Sequence, residues 1–234
     1  MGTGFHLGAG ETNAPRILYH SVAARSFRPL WALEELGLGY ELVVMPFPPR
    51  AHVKDYKSLN PLGTVPLFLE GLTRMTESSA ICEYLAARHP EAGVGVAIDD
   101  PAYGEYLNFC HFGEATLTFP QTLVLRYGRF EPAERRQPQV AADYAAWFLA
   151  RLRTLEPRLA EHEYVAAGRF TAADISVGYA LLLAGHLGLA AEFTPAVTAY
   201  WARLQRRAAY RAALEAERTA AIAQGVDPRA STEV

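Results

Sequence analysis

Cysteine is scarce in this chain. Two residues, Cys82 and Cys110, are too few for a disulfide framework, and a reducing, cytoplasmic compartment fits that usage. An excess of either charge is also missing. Twenty-two basic and 25 acidic residues give a formal net charge of −3 with no basic block, which argues against a nucleic-acid partner. No apolar run approaches the roughly 20 residues a membrane-spanning helix requires, so no membrane partner is expected. The seven histidines are scattered, without HxxxH or HExxH spacing, so no metal is expected. GxSxG, P-loop and GxGxxG patterns are missing. So is CxxC, which excludes disulfide exchange by a vicinal pair. What remains is an ordinary globular composition, 50% hydrophobic and 20% charged. Met1 to Pro15 is Gly-rich without an apolar signal core and reads as a loose leader. Gly225 to Val234 is polar and reads as a frayed end.

The first ninety residues alternate strand and helix signals. Arg16 to His20 is a short apolar stretch expected to form a buried strand. Ser26 is placed to cap a helix to about Leu36, with Pro29 in its first turn and Gly37 as its stop. Tyr40 to Met45 reads as a second strand, and strand–helix–strand within so few residues favours a parallel pair. Pro46 to Pro49 is a stiff connector, and His52 to Leu59 is expected to hold a short helix. Pro66 to Glu70 and Thr73 to Met75 flank Gly71 as a hairpin. Ser78 to Arg88 closes the unit as an amphipathic helix. The order resembles a thioredoxin-like α/β domain.

Two stretches in this half carry chemistry. Asn60-Pro61-Leu62-Gly63 is turn-forming and leads into Val65-Pro66. Pro66 lacks an N–H and belongs at a strand start or edge, where the Val65 backbone is left to pair with an extended peptide ligand. Farther on, Glu77-Ser78-Ser79 opens a helix, whose free N–H groups and serine hydroxyl attract a carboxylate.

His89 to Ala97, with Pro90, Gly93 and Gly95, reads as a linker. Beyond it the pattern is helical only. One long helix starts near Tyr103 and bends past Pro120 toward Tyr127. Another runs from Val140 to Ala160. Thr171 and Asp174 form a capping-box variant ahead of a buried helix, Ile175 to Leu187. Pro195 to Arg207 and Tyr210 to Ala223 read as the last two helices. Cys82 reads as a small buried hydrophobe.

Val65-Pro66, Glu77-Ser78, the stretch from Arg25 to Gly37 around Trp31 and Leu33-Glu34-Glu35-Leu36-Gly37, and Phe170 to Asp174 together resemble the glutathione S-transferase superfamily over residues 16–220. The resemblance implies a thioredoxin-like domain over 14–90 and an all-helical domain over 99–222 that forms a second-substrate pocket. It implies glutathione as co-substrate, an electrophilic second substrate and a homodimer. Val65 and Pro66 would pair with the glutathione backbone, and Glu77 and Ser78 would hold its γ-glutamyl end. Lys54 or His52 would sit near the glycyl carboxylate. In Ser-type members a serine at the end of the first loop donates to the sulfur. Here that position falls at Ala24, which has no donor. Ser26 and Arg25 are the nearest candidates for stabilising a thiolate, with Ser21 behind them. The activity implied is transfer of an alkyl or aryl group to glutathione. A non-catalytic ligand-binding module, or a glutathione-dependent isomerase or disulfide reductase, is the alternative on the same fold.

Overall fold

The computed structural model describes residues 14–230. The expected leader falls almost wholly outside them. Strand β1 (Arg16–His20) leads through a turn into helix α1 (Phe27–Glu35) and strand β2 (Glu41–Val44). Two single-turn helices follow, α2 (Pro49–His52) and α3 (Tyr56–Leu59). Then come the hairpin β3 (Leu67–Glu70) and β4 (Thr73–Met75), and helix α4 (Ser78–Arg88). The sheet order is β2-β1-β3-β4. β1 and β2 are parallel, as the short crossover predicts, while β3 runs antiparallel to both β1 and β4. This is the thioredoxin-like arrangement. The turn into β3 is knit by Asn60, whose amide donates to the Thr64 carbonyl at 2.8 Å and whose Oδ1 accepts the Leu62 N–H at 3.2 Å. The Val65–Pro66 peptide bond is cis.

The second half is helical. α5 (Tyr103–His111) widens into a π-helical stretch, Phe112–Thr118, continues as α6 (Phe119–Leu125) and ends in π turns to Phe130. α7 (Pro138–Leu152), α8 (Glu156–Glu161), α9 (Ala172–His186), α10 (Pro195–Gln205) and α11 (Ala208–Ala223) complete it. A close helix contact accompanies the widening. A Cβ on Gly113 would lie 2.5 Å from the Ser176 backbone, so the long helix meets α9 almost backbone to backbone. The capping box is present at the start of α9. The Asp174 carboxylate accepts the Thr171 N–H at 2.9 Å, the Val165 N–H at 3.0 Å and the Tyr200 hydroxyl at 2.8 Å.

One apolar core joins the two halves: Leu18, Trp31, Phe68 and Leu85 belong to the same buried cluster as Val177, Leu181 and Tyr210. The linker is packed. Val94 and Val96 are buried, and the Val94 carbonyl accepts the Ala172 N–H at 2.9 Å. The C-terminal segment is likewise docked as far as Ala230, which is 4% exposed beside Val22 and Val44. Ser26 corrects another expectation. It occupies the position before α1, yet its side chain makes no capping bond and instead accepts the Ser21 N–H at 3.3 Å.

Candidate functional site

A cavity of about 380 Å³ opens where the sheet unit meets the long helix and α9. Its walls include Ala24, Arg25, Val65, Pro66, Glu77 and Ser78, six positions drawn from three separate sequence stretches. The β3 side carries Val65, whose N–H and carbonyl have no hydrogen-bond partner among the described residues. α4 supplies its N-terminus, with Glu77 in the cap position and exposed, and Ser78 buried at the first turn. Tyr179 of α9 and Glu114 of the π-helical stretch face them from the helical half.

Two arginines organise the floor. Arg28 is fully buried and uses its whole guanidinium fork. Nε donates to the Ser176 carbonyl at 3.2 Å, and Nη2 donates to Thr118 Oγ1 at 2.7 Å and the Gly113 carbonyl at 3.2 Å. Nη1 donates to Ser78 Oγ at 3.1 Å and to the Glu114 carboxylate. Its charge also lies 4.4 Å over the Tyr179 ring. Arg25 donates to the other Glu114 oxygen at 2.6 Å. Burial works to raise the Glu114 carboxyl, but the Arg28 and Arg25 charges outweigh it and hold the group below its ordinary range. Glu114 is therefore an anion clamped between two cations. Ser78 accepts from Arg28 and keeps its own O–H to donate into the cavity.

The loop before α1 is held from the helical half. Ala23 has a left-handed backbone, φ 56°, unusual for a residue with a Cβ. Its N–H donates to Glu217 at 2.8 Å and its carbonyl accepts the Tyr179 hydroxyl at 3.2 Å. The same Glu217 oxygen contacts His20 Nε2 at 2.8 Å.

Some expected positions lie elsewhere. The Ser21 and Ser26 hydroxyls are fully buried and do not line the cavity, and His52 and Lys54 sit exposed outside it. Arg50 lines the wall in their place. α2 begins at Pro49, three residues ahead of the expected helix, which sets the exposed Arg50 in its first turn at the cavity rim. Proline at a first helical position was the signal for that start. Glu114, Tyr179 and Glu217 carry no motif of their own, and Arg28 lies inside the stretch from Arg25 to Gly37 with no role expected of it. Neither cysteine serves the cavity: burial pushes the Cys82 thiol up to about 12 and raises that of Cys110 still further. No three-residue metal-binding group of His, Cys, Asp or Glu occurs among the described residues.

A thioredoxin-like sheet unit joined to a helical half, with a cleft beside the start of β3, defines a class. The model of the glutathione S-transferase N-terminal domain matches residues 24–88. Glutathione S-transferase hmp2 of Hypomyces subiculosus is 30% identical over 169 residues, 68% of this chain and 77% of that protein. Glutathione S-transferase A of Pleuronectes platessa is 27% identical over 200 residues, 84% of this chain and 89% of that protein. A sphingomonad glutathione S-transferase, solved with glutathione, superposes with a TM-score of 0.74 at 29% identity, covering 86% of this chain and 98% of that one. The chain belongs to the glutathione S-transferase superfamily.

Proposed function

We propose that the protein binds glutathione in this cavity and promotes attack of its thiolate on an electrophile. The convergence of the Val65 backbone, Glu77 and Ser78 on one cavity carries the reading. The Val65 N–H and carbonyl pair with the cysteinyl part of an extended tripeptide, beside Pro66. The Ser78 O–H and the α4 N-terminus meet the γ-glutamyl carboxylate, and Glu77 meets its ammonium. Arg50, rather than Lys54 or His52, meets the glycyl carboxylate. The positive potential of Arg25 and the α1 N-terminus favours the thiolate; the Ser26 and Ser21 hydroxyls are turned away from it. In the reaction the thiolate sulfur forms a bond to the electrophilic carbon, and the leaving group departs with the bonding pair. The proton lost by the thiol passes to solvent.

The reading includes a division into a sheet unit over 14–90 and a helical unit over 99–222. It also includes a cytoplasmic homodimer. A second reading, a glutathione-binding module without turnover, is favoured by Ala24 at the cavity wall. Disulfide reduction through a protein thiol has little support, since both cysteines are buried.

Calorimetric titration with glutathione tests the reading. Binding is expected, weakened by about tenfold or more in Glu77→Gln, where a charge-assisted hydrogen bond is lost. A conjugation assay with an aryl halide then separates transferase from binding module. Failure of the wild-type chain to bind glutathione would overturn both.

A further inference from the structure

We propose that the second substrate is an aromatic electrophile bearing an anionic group, a carboxylate or sulfonate. The proposal rests on the transferase reading for the reaction, but its recognition chemistry is read from a separate cavity. That cavity, about 980 Å³, adjoins the glutathione cavity and shares Phe47, Arg50, Thr122 and Phe130 with it. Two kinds of side chain meet there.

The first kind is aromatic. The Phe47 and Phe130 rings lie 5.7 Å apart at 40°, and the residues remain 37% and 46% exposed. Paired rings left open to solvent beside a binding cleft offer a planar molecule a stacking face. The second kind is cationic. Arg126 and Arg135 line the wall with the carboxylate Glu131, and Arg50, assigned above to the glycyl carboxylate, borders them. Glu131 is shared, accepting from Arg126 at 3.0 Å and sitting 3.3 Å from Arg135, so one anion stands against two cations. The side chains of Arg126 and Arg135 are 60% and 69% exposed and reachable. Arg136 is turned to the backbone instead. It donates to the Glu131 carbonyl at 3.0 Å and the Arg129 carbonyl at 3.1 Å, and so fixes the loop that presents the others.

A neutral aromatic compound uses the rings and leaves the excess positive charge uncompensated. A small anion uses the arginines and leaves the rings wet. An aromatic anion satisfies both, and arginine forks suit carboxylate and sulfonate oxygens. The net charge of −3 on the whole chain makes this a local feature, not a general affinity for anions.

Calorimetric titration of the full chain with dinitrobenzoate and with neutral dinitrobenzene, both without glutathione, tests the inference. The anion is expected to bind at least about fivefold more tightly at about 20 mM salt, with the advantage vanishing near 500 mM. The double variant Arg126→Gln/Arg135→Gln is expected to lose the advantage while changing affinity for the neutral probe by less than about twofold. Phe130→Ala is expected to weaken both probes alike. Equal binding of the two probes by the wild-type chain would overturn the proposal. So would an advantage that survives the double variant, or Phe130→Ala without effect on either probe. Because glutathione is left out, these outcomes stand apart from failure of the transferase reading. With glutathione present, chlorodinitrobenzoate is expected to show a lower KM than chlorodinitrobenzene.

Discussion

The Glu217 carboxylate, near the end of the chain, accepts the N–H of Ala23 at 2.8 Å and so reaches the loop that walls the cavity between the sheet unit and the helices. The relationship spans 194 residues and is buried. It offsets a left-handed backbone that costs of order 1 kcal/mol at a residue with a Cβ. Glu217→Ala is expected to release the loop, weakening glutathione binding by about threefold to tenfold while the chain stays folded. Calorimetry together with circular dichroism checks this. Ala23→Gly is expected to leave binding unchanged and to raise stability slightly, since glycine accepts that backbone freely.

Arg28 joins α1, α4, α9 and the π-helical stretch through one guanidinium. Arg28→Met keeps the volume but strands the Glu114 carboxylate with one cation and removes the guanidinium from the Ser176 and Gly113 carbonyls. Loss of about 3–5 kcal/mol is expected, read from the urea midpoint at constant m.

Asp174 gives a pH signature. Burial pushes its carboxyl up to about 6 from an ordinary 3.8, while hydrogen bonds from Val165, Thr171 and Tyr200 pull the other way. A folded-state value above the unfolded one means the folded chain holds the proton more tightly. The stability Asp174 contributes is therefore full below about pH 4 and is lost as pH rises through about 6. Asp174→Ala is expected to lower Tm at every pH through loss of the cap, a destabilisation of about 0.5–2 kcal/mol or more. The gap to wild type is expected to narrow from pH 4 to pH 7, with the glutathione Kd unchanged. A gap that widens with pH would refute this reading.

Ala24→Ser places a hydroxyl where the wall has none. A hydrogen bond to a charged sulfur contributes about 1.5–3 kcal/mol, so conjugation is expected to accelerate by about tenfold or more. Steady-state rates at saturating glutathione check it, and an unchanged rate would favour the binding module.

Much of the first half was legible because its signals are local. Alternating apolar runs, Gly71 at the hairpin and the Glu77-Ser78 helix start each act within a few residues, and β1, α1, β2, β3, β4 and α4 appear where they were expected. Thr171 and Asp174 were legible for the same reason. The floor of the cavity was not. Arg28 reads as one more polar residue in the first turn of a helix, and Glu114 as a charge within a long one. Only the approach of Gly113 to Ser176 brings them together, and that contact joins stretches far apart in sequence. Arg50 was hidden by a helix start expected three residues too late, and the packing of the linker was hidden because Val94 and Val96 find their partners only across the core.

The two sealed sulfhydryls bear on the proposed transferase reading, in which a catalyst that handles soft alkylating or arylating molecules risks modifying itself. Here Cys82 and Cys110 lie within the interior, and burial keeps both in the unreactive protonated state at neutral pH. A reactive guest in the cleft meets no competing sulfur from the polypeptide, so the folded chain is expected to resist maleimide labelling until it is denatured.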